Sequence, residues 1–350
     1  MSLPSIEHID LANKRVLVRA DLDVKIDEHG QVKDDSRLQE LLPTLNMIYE
    51  KGTAKVVLIG HRGRPAGVAD GNYSLHPLLE YFKKNYGPDI AFIGHQPMNV
   101  FFEMFDEYSQ STARLVLLEN LRFYEEEEKN DQIIAEQLSY FGDVYVNESF
   151  ATSHREHASL YALPKIMKEK GLPMAAGLHF QKEIQELSKV FTDPKRPLVI
   201  LISGAKEDKL TFLPRLIEIA DRVLVAGALP TFMPEEQGDP KLFVAKLNPD
   251  KEDITIHTIE QFEQVIAAAG TIFVSGPIGK FEEPGHLLGT QRVFTAIAQS
   301  GAMKIAGGGD TTHAINTLKL ADSFDWISSG GGASLEFVAN KTLPGIEVLQ

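Results

Sequence analysis

Residues 15–23 read RVLVRADLD, a short apolar run flanked by arginines and followed by two carboxylates, Asp21 and Asp23. The run lacks the apolar–polar alternation of a half-exposed strand. That pattern fits a strand buried on both faces, as in a parallel sheet covered by helices. Similar runs recur at 55–59, 90–93, 115–118 and 144–146, and again at 198–202, 222–225, 242–244, 271–274, 303–305 and 326–327. Segments of helical period lie between them at 38–49, 133–140 and 262–269. Strand–helix alternation of this kind predicts an α/β architecture. The amphipathic segment 180–191 (FQKEIQELSKVF) is stopped by Pro194 and Pro197, which puts the domain joint near mid-chain.

Composition narrows the function classes. The chain has 350 residues, 43% apolar and 24% charged, with no cysteine. A disordered tail, a disulfide scaffold, a thiolate metal site, a cysteine nucleophile and an iron–sulfur cluster are therefore excluded. Thirty-five Lys and Arg against 49 Asp and Glu leave a net charge of −14. Such a surface repels nucleic acid and anionic lipid, so neither is an expected partner, and any anion site must be a local basic cluster. The length favours two domains. The opening MSLPSIEHID has neither a basic nor an apolar stretch, so no signal peptide is expected, and no run approaches the ~20 apolar residues of a membrane span. A cytoplasmic location follows as the expectation. The run EEEE at 125–128 reads as a solvated loop or a helix start.

In open parallel sheets ligands bind beyond the carboxyl ends of the strands. In the first half those positions carry cations: Arg37 past the first loop, His61 and Arg64 in GHRGRP, Arg122 in ENLRF, and Arg155 in SHREH. Guanidinium groups suit a phosphate or a carboxylate because they are planar, forked and always charged. Any one of them alone reads as a surface ion pair, but five at matched positions read as an anion site. In the second half the strand ends carry glycine: SGAKEDK at 203–209, SGPIG at 275–279, GGGDT at 307–311 and SSGGG at 328–332. Glycine lets backbone N–H groups approach phosphate oxygens, and a following helix start adds a favourable dipole. Lys206 and Lys209 offer mobile point charges, and Asp310 offers a carboxylate for a metal-bound phosphate. No G-x-x-x-x-G-K-[ST] occurs and no G-x-G-x-x-G follows the first strand, which argues against a P-loop enzyme and a dinucleotide oxidoreductase.

Taken together, RVLVRADLDV, GHRGRP, LLENLRFYEEEE, DVYVNESFATSHREHAS, SGAKEDK, GPIGKFE, GGGDT, SSGGGASLEF and the closing LPG resemble phosphoglycerate kinases, in that family's order from about residue 14 to 349. The resemblance implies two Rossmann-like α/β/α domains with parallel sheets joined by a hinge helix. It places a phosphoglycerate-binding domain at 1–175, an interdomain helix at 176–193, a nucleotide-binding domain at 194–335, and a segment at 336–350 that returns to the first domain. It implies reversible phosphoryl transfer between 1,3-bisphosphoglycerate and Mg-ADP, giving 3-phosphoglycerate and ATP, by a cytoplasmic, hinge-bending monomer. On matching positions, Asp21, Asp23, Arg37, His61, Arg64, Arg122 and Arg155 would bind the phosphoglycerate. Arg37 and Lys206 would be catalytic. Gly204, Lys206, Lys209, Pro277, Glu282, Gly308, Gly309, Asp310 and Thr311 would hold the nucleotide, with Glu282 on the ribose hydroxyls and Asp310 on Mg2+.

The sequence departs from the family at four places. Asp23 stands where an amide is usual, so a group that could donate is replaced by one that only accepts. Beside an anion this costs on the order of a few kcal/mol before screening. Lys25 replaces a proline nearby. The lysines of SGAKEDK are three apart rather than four, and Ser275 replaces an asparagine. Between 233 and 254 the chain is compressed, so that a family strand and helix on the nucleotide side are expected to be largely missing. A paralogue that binds a phosphorylated acid without transferring phosphoryl is the alternative these changes raise.

Overall fold

Each of these apolar runs forms a strand, and one further strand joins them. The computed structural model describes residues 3–98, 101–234 and 238–350, the side chain at 102 aside. In the first half, β1 is Arg15–Ala20, β2 Lys55–Ile59, β3 Ile90–Ile93, β4 Leu115–Leu118, β5 Val144–Glu148 and β6 Met174–Ala176. In the second, β7 is Leu198–Gly204, β8 Arg222–Gly227, β9 Leu242–Val244, β10 Thr271–Ser275, β11 Met303–Gly307 and β12 Trp326–Ser328. They make two six-stranded sheets, β3-β4-β2-β1-β5-β6 and β12-β11-β10-β7-β8-β9. Every pairing is parallel. The expected α/β class with parallel sheets is thus observed. The strand not anticipated, β6, is Met-Ala-Ala at a sheet edge and has no β-branched residue to mark it.

The chain divides into two units, Met1–Lys182 with Leu343–Gln350, and Glu183–Thr342. Each has its own apolar core. The first gathers Val16, Val18, Leu45, Val56, Leu58 and Phe82 against the sheet; the second gathers Val199, Leu201, Phe262, Val274 and Phe294. Central β1 is fully buried from Val16 to Ala20, Arg19 included. The C-terminal residues are held in the first unit by the Gly345 N–H, which donates to the Ser153 carbonyl at 2.9 Å.

Helices fill the helical-period segments: Ser36–Glu50, Gln132–Ser139 and Ile256–Ala267. The last begins six residues earlier than its apolar period suggests, because the Thr255 side chain caps it by accepting from the Thr258 N–H. The acidic run at 125–128 does form a short helix. Its expected solvation is corrected at Glu127, which is wholly buried and accepts from the Ser159 Oγ and N–H at 2.6 and 2.9 Å.

The division between units falls within helix Leu178–Thr192, whose start is tied to the first unit by one carboxylate. Glu148, at the end of β5, accepts from Thr44 Oγ1 at 2.5 Å and from the His179 and Phe180 N–H groups at 3.0 Å. These are backbone donors that a helix start leaves without intrahelical partners. A side chain at Gly177 would collide with this carboxylate. Burial pushes the Glu148 pKa up, and the Thr44 hydroxyl and the helix N–H groups oppose that rise. Glu148→Ala would take the acceptor from the buried Thr44 hydroxyl, from the buried Phe180 N–H and from the half-buried His179 N–H. The first unit should then lose about 3 kcal/mol of stability, and hydrogen exchange at the His179 and Phe180 amides should accelerate. Unchanged protection at those amides would refute the anchoring role.

Candidate active site

In the first sheet the chain order reverses at β1, which lies between β2 and β5; in the second it reverses at β7, between β8 and β10. Crevices for ligands open beyond the carboxyl ends of strands at such reversals. In the first unit this edge carries a cluster of cations. Asp21, just past β1, accepts from Arg37 Nη1 through both oxygens at 2.9 Å. The Asp21 charge in turn holds the Arg37 pKa above its ordinary value. Asp23 Oδ1 accepts from the Gly63 N–H at 2.8 Å. That ties the carboxylate to the loop that follows β2. Gly63 has φ +64, and a Cβ there would run into the Tyr73 ring, so only glycine fits.

Arg122 closes over the same loop. Its Nη1 donates to the Gly63 carbonyl at 2.9 Å, while its Nε lies 3.3 Å from Glu128 Oε1 without hydrogen-bond geometry. It is only 5% exposed. Burial lowers its pKa and Glu128 opposes this. Arg19, Arg155 and Asp23 also act on it through charge. His61 is held neutral, first by burial, then by Arg19, Arg122, His157 and Arg37. Burial likewise takes His154 down to about 4 and His157 to about 3, with Arg155 and Arg122 respectively the next cause. Arg37, His61, Arg122 and Arg155 therefore share one charge cluster with Asp21 and Asp23. Arg64 is exposed, one residue on from the doubly held Gly63. Sequence reasoning missed Arg19, Ser159 and Glu127. Arg19 passed as a strand residue, and Glu127 was hidden in a run of four identical residues.

In the second unit the strand ends are knitted by their own polar groups. Thr311 Oγ1 accepts from the Gly276 N–H at 2.7 Å and donates to the Gly307 carbonyl at 2.9 Å. This hydroxyl thus joins the ends of β10 and β11. Ser203 Oγ donates to the Pro277 carbonyl. A Cβ on Gly276 would sit 2.0 Å from the Ser203 carbonyl oxygen; the two strand ends approach this closely only with glycine. Lys209 folds back over Gly204, with Nζ 2.6 Å from the Ser203 carbonyl. Burial lowers its pKa, and the charges of Asp310 and Asp208 oppose that. Lys206 is exposed just before the short helix Glu207–Phe212. Gly308 caps helix Gly309–Thr317, with Gly309 and Asp310 exposed in its first turn. Glu282 is exposed and lies 3.0 Å from His313 Nε2.

The compressed stretch supplies β9 at the apolar run 242–244, where a strand is expected, and β9 pairs with β8. Its loop then packs on the segment that carries Pro277 and Glu282: Glu252 meets Lys280 at 2.6 Å and Asp250 meets His286 at 3.2 Å. Buried Asp253 accepts from the Gly289 N–H at 2.9 Å. Among the described residues Glu252, Glu283 and His286 are the set spaced to share a metal ion, but the Lys280 ammonium already serves Glu252 there.

His154 and His157 are held neutral in the folded chain, whereas a histidine in the unfolded chain titrates near 6.5. As pH falls, the unfolded state takes up protons that the folded state refuses. Stability is therefore complete above about pH 6.5 and declines below it, by about 1 kcal/mol per histidine between pH 6.5 and 5.5. Urea unfolding across that range should show the decline and His157→Asn should reduce it. Imidazole NMR should find both rings unprotonated at pH 5.5; protonation there would refute the assignment.

Comparison with known proteins agrees with this layout. A phosphoglycerate kinase family model matches residues 6–240 and 244–341; the break falls on β9. The chain is 35% identical over 406 aligned positions to the phosphoglycerate kinase of Anaeromyxobacter dehalogenans (strain 2CP-C), covering all of both chains. It is 35% identical over 404 positions to that of Solibacter usitatus (strain Ellin6076), again covering both in full. Alignments longer than the 350 residues of this chain place gaps within it. Among solved structures, phosphoglycerate kinase from Coxiella burnetii matches with a TM-score of 0.80 at 26% identity, over 99% of each chain. The chain belongs to the phosphoglycerate kinase family.

Proposed function

We propose that this chain is an active, abbreviated phosphoglycerate kinase that transfers phosphoryl reversibly between 1,3-bisphosphoglycerate and ADP, giving 3-phosphoglycerate and ATP in glycolysis. The observation that carries this is the cationic cluster at the carboxyl edge of the first sheet, on a chain of net charge −14, in a member of that family. Arg37, His61, Arg64, Arg122 and Arg155 take the phosphate and carboxylate of the acid, and Asp21 and Asp23 orient the loops around it. Gly204, Lys209, Pro277, Gly308, Gly309 and Thr311 hold the nucleotide phosphates, with Thr311 acting through the strand ends it fastens. Glu282 takes the ribose.

Asp310 suits Mg2+, which binds through one or two carboxylates and substrate phosphates and keeps several waters. The ion would supply neutralising charge to the nucleotide phosphates. The chain's own groups do the rest by position and charge, since phosphoryl transfer asks little covalent chemistry of a protein. Lys206, exposed on its short loop, reaches the equatorial oxygens of the group in transit, and Arg37 lies against that group. With the acid drawn to one unit and the nucleotide to the other, transfer requires bending about helix Leu178–Thr192. The same reading makes the protein a cytoplasmic monomer. Among the described residues no helix is long and apolar enough to cross a membrane.

A coupled assay for ATP formation from 1,3-bisphosphoglycerate and Mg-ADP tests the activity; folded protein without turnover would leave only a binding paralogue. Lys206→Ala should lower kcat about 100-fold or more with little change in KM, since its contact is made in the transition state. Equal kcat with a raised KM would contradict that role. Asp23→Asn keeps an oxygen for the Gly63 N–H and removes a negative charge beside the anion. It should tighten 3-phosphoglycerate binding several-fold by calorimetry; weaker binding would mean that the site is built around the carboxylate.

A further inference from the structure

The fully buried Arg19 has no access to a ligand, yet its guanidinium is bonded on three sides. Nε donates to Ser159 Oγ at 2.8 Å, Nη1 to the Ala20 carbonyl at 2.5 Å, and Nη2 lies 2.9 Å from His61 Nδ1. The Ser159 hydroxyl in turn donates a hydrogen bond to Glu127 Oε1 at 2.6 Å, and Glu127 Oε2 accepts from the Ser159 N–H at 2.9 Å. Arg19, Ser159 and Glu127 thus form a closed, solvent-free chain from cation to anion. Its outward end is the imidazole of His61.

A guanidinium has five N–H donors and no acceptor. The 2.9 Å contact is therefore a hydrogen bond only if His61 Nδ1 accepts, which puts the single proton of the neutral ring on Nε2. A protonated ring would set an N–H against an N–H. The other groups around His61 favour the same form: Arg122, Arg37 and His157 act on it as Arg19 does, and Asp23 Oδ2 stands 4.0 Å from Nε2, beyond direct hydrogen-bond reach. The ring therefore presents Nε2–H on the side of Asp23, within the charge cluster that includes Arg37 and Arg122.

We propose that Arg19 is a positioning residue for His61: by holding Nδ1 as an acceptor it fixes the ring as an Nε2–H donor, so that His61 gives one oriented hydrogen bond to the anion of the cationic cluster. This rests on the cluster being the phosphoglycerate site. A donor whose tautomer is fixed in advance needs no rearrangement when the anion arrives, and its bond is made alike in ground and transition states. It therefore acts on KM rather than on kcat.

Imidazole 15N–1H correlation spectra of the full chain, with His61 assigned by its loss in His61→Gln, read the tautomer without any turnover. The wild-type ring should be a single Nε2–H form at pH 7; an Nδ1–H form or a mixture overturns the proposal before any further variant is made. Arg19→Met combined with Glu127→Gln removes both buried charges at similar volume. In that variant the Nδ1–H tautomer should appear beside the Nε2–H one, and KM for 3-phosphoglycerate should rise by the competent fraction lost, about twofold for an equal mixture, with kcat unchanged. His61→Ala should cost about tenfold in KM in the wild type, the value of one hydrogen bond to a charged acceptor, and about fivefold in the double variant, where half the rings already lack the donor. An unchanged tautomer in the double variant, or fully additive losses, overturns the proposal. Absence of phosphoryl transfer by the wild type would instead count against the assigned activity and leave the tautomer result intact.

Discussion

Parallel strands all end at one edge of their sheet, and there the backbone ladder stops. Each strand end must find side chains or turns for its last carbonyls and amides, and the chain must leave the edge by a loop. In this protein most of the polar groups that bear on function are gathered at those edges, because the inner strands β1, β2, β4, β5, β7 and β10 are buried along almost their whole length. The first unit answers the constraint with side chains: Asp23 holds the Gly63 amide, Arg122 the Gly63 carbonyl, and Glu148 the helix start that follows β6. The second answers it with hydroxyls and glycine, Thr311 and Ser203 fastening strand ends that approach too closely for a Cβ.

The two solutions differ in electrostatics. A cation taken out of water is costly unless its donors are satisfied and a countercharge is near. Arg19 meets both needs through Ser159 and Glu127, and Arg37 through Asp21. Arg122 meets them only in part, with one good bond to a carbonyl and a looser contact with Glu128. Its charge adds to the burial that keeps the neighbouring histidines neutral. Lys209 is the counterpart in the second unit. Its ammonium is bound to a carbonyl at the end of β7 and sits within reach of the Asp310 charge.

Much of this was legible in the sequence. Apolar runs without alternation marked the strands, because burial on both faces leaves no polar position to spare. β6 escaped because three small or flexible residues at an edge carry no such signature. The cations that follow the strands of the first sheet were legible from their place in the sequence, since a parallel sheet sends every such residue to one edge. Glu127 was not legible. Its burial depends on Ser159, thirty-two positions away in the chain, and nothing local distinguishes it from the three glutamates beside it. The loop 245–255 was equally opaque, because it is held by Asp253, Glu252 and Asp250 against residues far along the chain.

The sequence by itself determined the α/β class, the cationic and glycine-bearing strand ends, and the family, because strand burial and turn chemistry are written in contiguous residues. Only the tertiary structure decided which of these groups are bonded as supports within the fold. Asp23 became a loop clamp, Thr311 a tie between strands, and Arg19 a buried brace for His61. Those roles depend on which donor meets which acceptor across the fold, and hydrogen bonds act over about 3 Å of space without regard to separation along the chain.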